Sequence, residues 1–252
     1  MQNKYKVLYA DFHTNIHPEQ MDQLEKWYNH ARKVTDFWLI AYYPFQKYEY
    51  GKGLKSESEI PKAEYLKQWQ DIRDFVKKVN KDNPEFPMFL GYEWHGAGLD
   101  GDHNVFFKKD GEMTMPLRYV DLVEYYKGQD VVGIPHHVAY QKGHRGKNWD
   151  THNNEFSPFV EIKSQHGSSE YATTDMAMDR HVHMGPRTGK TTVFDGLNEG
   201  HKVGIIAAGD NHVVPADQIN GLAGVWAKSN SKDDIWDAML NKRVYGFSKN
   251  RI

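Results

Sequence analysis

The 252-residue sequence contains no cysteine. That excludes disulfides, thiol nucleophiles and cysteine-ligated zinc. It also lacks an excess of either charge: 32 Lys and Arg stand against 34 Asp and Glu, a formal net charge of -2. A nucleic acid or a membrane surface calls for a basic excess, so neither is an expected partner. No apolar run is long enough to span a bilayer, and the N-terminus carries no signal-peptide pattern. The expected compartment is cytoplasmic, or exported where a leader is removed before residue 1. No Gly-x-Ser-x-Gly elbow occurs, which argues against a serine hydrolase. Histidine, in contrast, is plentiful and clustered, with 14 copies. The 15 Tyr, 12 Phe and 7 Trp are enough to line a cleft as well as a core.

Short apolar runs alternate with amphipathic segments along the chain. Lys6 to Ala10 reads as a strand, followed by Asp11-Phe12-His13-Thr14-Asn15-Ile16-His17. Pro18 then opens a helix, with Met21, Leu24, Trp27, Tyr28, Ala31 and Val34 at helical spacing. Asp36 to Ala41 is a second strand, ending in Tyr42-Tyr43. A long helix from Pro61 carries Leu66, Trp69, Ile72, Val76 and Val79 on one face, and Asn83-Pro84 ends it. Further strands run over Phe86–Trp94, His103–Phe107, Val131–Pro135, Phe159–Lys163, Val203–Ala208 and Leu222–Ala227. Helices are expected over 117–126, 191–200 and 233–240, and polar loops over 141–156 and 171–189. Strands alternating with helices, with no dinucleotide fingerprint after the first strand, favour an α/β fold with a closed βα barrel. One domain over residues 1–252 is expected.

In such a barrel the functional residues gather at the C-terminal ends of the strands. His13, Glu93, His136, His166, Asp210 and His212 all stand where an apolar run stops. An isolated loop histidine is more often structural than a ligand. Six imidazoles and carboxylates at corresponding ends would be costly to bring together unless a divalent cation neutralised them. Asn15 lies two residues from His13 and faces the same side. His136 and His137 are adjacent, so one can be a ligand while the other packs or meets substrate. His166, in a Gly/Ser turn, suits a ligand, a general acid or a substrate contact. Gly185-Pro186-Arg187-Thr188-Gly189-Lys190-Thr191 is one residue short of a P-loop and follows no apolar strand, so it is not read as a nucleotide site. Arg187 and Lys190 remain suited to an anionic substrate. His181-Val182-His183 follows no recognisable strand.

These segments, taken in order, resemble the polymerase and histidinol phosphatase (PHP) superfamily of metal-dependent phosphoesterases. The resemblance is carried by Asp11–Asn15, Asp36–Trp38, Gly91–Trp94, His103–Val105, Pro135–His137, Glu161-Ile162 with His166–Glu170, and Gly209–His212. It implies a distorted (β/α)7 barrel with up to three Zn, Mn or Fe ions. By position, His13, Asn15, Glu93 and Asp210 would hold the first ion. Glu93, His103 and His136 would hold the second, and His17, position 43 and His212 the third. The chain departs from the pattern twice. Asn15 replaces a histidine, and Ala41-Tyr42-Tyr43 stands where Thr-Asp-His is expected. A neutral phenol is a poor ligand, so one or two divalent ions are expected rather than three.

The expected activity is hydrolysis of a phosphoester by metal-activated water. His166, His137 or Arg187 would stabilise charge or protonate the leaving group, and Tyr43 would act as an acid, a base or a ring platform. The expected partner is a small-molecule or saccharide-type substrate. Two other readings stay open. One is a metal enzyme of the same scaffold cleaving a glycosidic or sulfate bond, and the other is a non-catalytic metal- or ligand-binding barrel.

Overall fold

The computed structural model describes residues 4–47, 56–58, 60–172, 188–216 and 220–248. Strands β1 (Lys6–Ala10) and β2 (Asn15–Ile16) precede helix α1 (Leu24–Val34), which a 3-10 turn over Pro18–Gln23 leads into. Short strands β3 (Trp38–Leu39), β4 (Ala41–Tyr42), β5 (Phe45–Lys47) and β6 (Ser56–Ser58) follow, then helix α2 (Lys62–Asp82). Next come β7 (Met88–Trp94), β8 (His103–Phe107), α3 (Tyr119–Tyr125) and β9 (Val131–Pro135). The last third holds β10 (Phe159–Ser164), β11 (Gly167–Ser168), α4 (Val193–Asn198), β12 (Gly204–Ala207), β13 (Leu222–Ala227), α5 (Lys232–Leu240) and β14 (Val244–Phe247). The fold is mixed α/β.

The expected all-parallel closed barrel is not what the described residues form. Their strands fall into separate hydrogen-bonded sheets: β2-β4-β7-β8-β9 with β3 on β7, β1-β13-β14, β11-β10-β12, and the β5-β6 pair. Parallel pairing survives for β2 with β4, β3 and β4 with β7, and β10 with β12. β7 with β8, β8 with β9, β1 with β13 and β13 with β14 are antiparallel. The connection between Trp94 and His103 explains the first reversal. A parallel crossover needs about a dozen residues or more, usually a helix, and the 95–102 segment is too short to supply one.

The sheets nevertheless share one interior. Leu8 and Ala10 of β1, Phe89 of β7, Phe106 of β8, Val132 and Ile134 of β9, Phe159 of β10, Ile206 of β12 and Val225 of β13 belong to one buried cluster. A second cluster on the opposite face of β7 and β8 packs α1 and α2 against Leu90, Tyr92, Trp94, Val105 and Phe107. In α2 the inward stripe is Tyr65, Trp69, Ile72, Val76 and Val79, and Leu66 is 43% exposed. The apolar residue at 66 therefore sits one position off the seam, and Tyr65 packs on Phe45 in its stead with ring centroids 5.1 Å apart. Helix α4 starts with a capping box in which the Thr192 hydroxyl accepts from the Asp195 amide and the Asp195 carboxylate accepts from the Thr192 amide. The tail 244–247, with no strand expected, closes the sheet as β14 beside β13.

Close packing between β7 and β8 demands glycine at 91, because a Cβ there would meet the Phe106 ring at 2.3 Å and the Val105 carbonyl at 2.7 Å. Phe106 is fully buried. Phe106→Ala should cost about 3–5 kcal/mol, measured by urea unfolding at neutral pH. Lys232 provides a pH signature. Burial pushes its ammonium down to about 8, and its Nζ donates to the Met88 carbonyl at 3.0 Å. An unfolded lysine titrates at about 10.4, so between these values the unfolded chain binds more protons and stability rises with pH. The stability of the native protein relative to Lys232→Met should therefore increase from pH 8 to pH 10. A flat difference in chemical unfolding would contradict this.

Candidate metal centre

Five segments bring imidazoles and carboxylates to one end of the shared interior. His13 follows β1, Glu93 lies near the end of β7, His136 follows β9, His166 follows β10, and Asp210 follows β12. The loops after β1 and β12 are tied together. The Asn15 amide donates to the Asn211 carbonyl at 2.8 Å, and the Asn211 amide donates to the His13 carbonyl at 3.1 Å. Asp11, fully buried, accepts from the amides of His13, Gly209 and Ala216 at 2.9 to 3.0 Å. Burial pushes its carboxyl up to about 6, against the pull of those amides.

His13 is the hub. Its Nδ1 lies 2.8 Å from Glu161 Oε2. A carboxylate only accepts, so Nδ1 carries the hydrogen and donates. In a neutral ring, Nε2 then offers a lone pair, and it faces Glu93 Oε2 and Asp210 Oδ1, each at 3.3 Å. Three acceptors facing one another are unfavourable without a cation between them. Burial opposes a charged His13, yet the Asp210 and Glu161 carboxylates outweigh it and hold the pKa well above the ordinary histidine value. Glu93 and Asp210 are held well below the ordinary carboxylate range. Burial opposes this, but His136, His13 and His95 outweigh it at Glu93, and His13, His166 and His212 at Asp210.

The donor set fits a divalent cation. Three groups could each hold one: His13 with Glu161 and Asp210; His137 with His166 and Asp210; and Glu93 with Asp102, His136 and His137. All of these residues are buried. Neither nitrogen of His136 finds a hydrogen-bond partner among the described residues, nor does Nδ1 of His137. A buried imidazole nitrogen that meets no hydrogen-bond partner keeps a lone pair that a divalent ion can take. His136 Nε2 lies 3.3 Å from Glu93 Oε1. Ligand atoms about 2.0–2.2 Å from a tetrahedral ion lie about 3.3–3.6 Å apart, which the His136–Glu93 spacing matches.

The chain shares a fold with a PHP-like protein. That protein is a two-domain protein from Bacteroides vulgatus ATCC 8482, described as containing a predicted PHP-like metal-dependent phosphoesterase. The TM-score is 0.54 at 13% identity, over 98% of this chain and 66% of that one. At this identity the likeness is one of fold. A family model described as a protein of unknown function (DUF3604) matches residues 166–252. No curated protein matches the chain.

The structure brings most of the sequence-derived candidates together. Asn15 donates from Nδ2 to Glu93 Oε2 at 2.8 Å, so it presents its amide nitrogen, not its oxygen, to the cluster. His17 Nε2 and His212 Nδ1 are 2.7 Å apart, and His212 Nε2 is 3.5 Å from Asp210 Oδ1. Burial, with His212 beside it, lowers the His17 pKa. The Tyr43 ring lies 4.7, 4.9 and 5.6 Å from the rings of His17, His95 and His212. Burial, reinforced by Glu93, pushes its phenol far above the ordinary value, so it is neutral. Burial, with His136 and His166 nearby, depresses His137 well below the usual histidine value. His166 Nδ1 meets the Tyr140 hydroxyl at 2.6 Å, and its Nε2 meets Asp210 Oδ2 at 2.9 Å. Arg187 and His181–His183 lie outside the described residues.

His103 stands apart from these groups. Cross-strand partners share a face. His103 pairs with Trp94, the residue after Glu93, so it faces away from Glu93, and the pair of rings is 5.6 Å apart. Its Nδ1 donates to the Gly101 carbonyl, its Nε2 lies 3.3 Å from Lys147 Nζ, and its ring stacks on Tyr119. Lys147 is fully buried, and burial pushes its amine down to about 7. His95, Asp102, Arg145, Glu161 and Tyr140 went unassigned on sequence. His95 carried a signal, since it sits two residues past Glu93 and donates from Nε2 to Glu93 Oε1 at 2.8 Å. Glu161 also carried one, as the carboxylate inside an apolar strand.

Carboxylates that hold a ligating histidine tune metal affinity through its second nitrogen. Glu161→Gln should lower divalent-metal affinity about 10–100-fold while leaving the circular dichroism spectrum unchanged. Chelator competition measures this, and unaltered affinity would remove His13 from the ligand set.

Proposed function

We propose that this chain is a divalent-metal-dependent hydrolase acting on a phosphoester. The observation that carries the reading is His13, whose Nδ1 is anchored on Glu161 while Nε2 faces Glu93 and Asp210 at 3.3 Å. His13, Glu93, Asp210, His136 and His166 would hold one or two ions, and Asn15 would position Glu93. A divalent cation held there supplies Lewis acidity and lowers the pKa of water toward neutrality. The fold likeness to a protein with a predicted metal-dependent phosphoesterase supports the reaction class.

The chain's own groups supply orientation and proton transfer. The His212 side chain is 34% exposed, whereas those of His13, Glu93 and Asp210 are within 3% of full burial. Substrate therefore approaches on the side of His17, Tyr43 and His212. One ring of the 2.7 Å His17–His212 contact donates to the other, which fixes the His212 ring with Nε2 turned toward Asp210; a proton on that Nε2 would be the one given to a leaving oxygen. Tyr140 fixes the His166 ring, leaving Nε2 facing Asp210. Tyr43 offers a neutral hydroxyl and a ring face. That feature favours a second reading, cleavage of a glycosidic or sulfate bond with Tyr43 against the substrate.

Purified protein supplied with Mn or Zn should turn over a member of a phosphoester panel. Asp210→Ala should lose bound metal, by elemental analysis, and activity, while its melting curve remains cooperative. Turnover confined to phosphate-free glycosides or sulfate esters would select the second reading. Metal content and activity unchanged by Asp210→Ala would remove the site.

A further inference from the structure

The third of the three ligand groups, Glu93 with Asp102, His136 and His137, already contains a cation. Arg145 reaches in from the loop after His137. Its Nε donates to Asp102 Oδ2, and its Nη2 lies 3.6 Å from Glu93 Oε1. It thus touches both carboxylates of that group. The other two groups have no arginine or lysine paired to their carboxylates among the ion pairs of the described residues.

The arginine is built in rather than swung in. It is 8% exposed, and its backbone takes a left-handed conformation with φ 72°. Such a conformation in a non-glycine residue persists only where its surroundings hold it. Here the Arg145 amide donates to the Gly98 carbonyl at 3.0 Å, and the Gly146 and Lys147 amides donate to Gln141 and Val138. Gly146 leaves no room for a Cβ, which would fall 1.9 Å from the Tyr140 carbonyl oxygen. A guanidinium stays charged at every physiological pH and cannot be displaced by deprotonation.

We propose that Arg145 is a resident cation that fills the charge position of a divalent ion between Glu93 and Asp102. Asp102 is then a partner of arginine and not a metal ligand, and the metal count of the site is limited on that side by a side chain. This inference rests on the metal-centre reading above.

Elemental analysis of protein equilibrated with Mn or Zn and freed of excess metal tests it. Arg145→Met should hold one more equivalent per chain than the native protein. Arg145→Lys should match the native count, as should Arg145→Met combined with Asp102→Asn. Arg145→Met should also gain more in melting temperature on metal addition than the native protein does, because the extra ion replaces the lost charge. An Arg145→Met chain that folds only when metal is present supports the proposal equally, with the count made on the refolded protein. Equal counts in Arg145→Met and native protein overturn it, as does an Arg145→Met chain that folds neither with metal nor without. The two readings fail separately. A native protein that binds metal, with no gain in Arg145→Met, defeats only the role of Arg145. A native protein that binds none defeats the metal centre, whatever Arg145→Met does.

Discussion

The structure depends on one charge balance: the His13 imidazole held between Glu161 on one nitrogen and Glu93 with Asp210 on the other. Three carboxylates and a single ring, all removed from water, cannot coexist without positive charge nearby. A proton on His13 provides some of it, and a divalent ion would provide more. β1, β7, β9, β10 and β12 each bring a negative oxygen or an imidazole to this point. The surrounding apolar core raises the cost of leaving them unmatched, which makes the same residues both a destabilising burden and a strong cation trap.

Holding that arrangement strains the backbone. His137, Arg145 and Asp210 all have positive φ, at 33°, 72° and 50°. His137 and Asp210 sit two and three residues past the ends of β9 and β12, and Arg145 lies in the loop that follows β9. The strain is offset by hydrogen bonds into the same loops, with Asp11 binding three amides and Asn211 bridging to the segment after β1. The polar loop over 141–156 takes part in this. It is folded tightly enough to carry Arg145 to Glu93 and to bury Lys147 over the Tyr119 ring at 4.1 Å.

A second set of buried polar groups lies on the other side of β7, around His103, Tyr119 and Lys147. Asp100 accepts there from Arg118, Asn148, Thr151 and the Tyr119 amide. Burial, with Lys147 close by, keeps His103 well below the ordinary histidine value, so it is neutral. This set braces the loops behind the cluster, and the aromatic richness of the chain is spent largely on such packing. Trp94, Tyr119 and Phe156 are all buried in it.

Sequence alone carried the elements and most of the converging residues. Period-3.6 spacing located α1 and α2, the apolar runs located β1, β7 to β10, β12 and β13, and a His, Asp or Glu where five of those runs stop marked His13, Glu93, His136, His166 and Asp210. These features are local, so a single chain segment contains the whole signal. Strand direction was not local. Whether β8 returns beside β7 depends on the room for a crossover, and that reversal turns His103 to the Trp94 face. Side-chain partners were not local either. Glu161 meets His13 across 148 positions and Arg145 meets Asp102 across 43. Charge pairing is a property of distance in space, so only the tertiary structure decided which carboxylates face a histidine and which face an arginine.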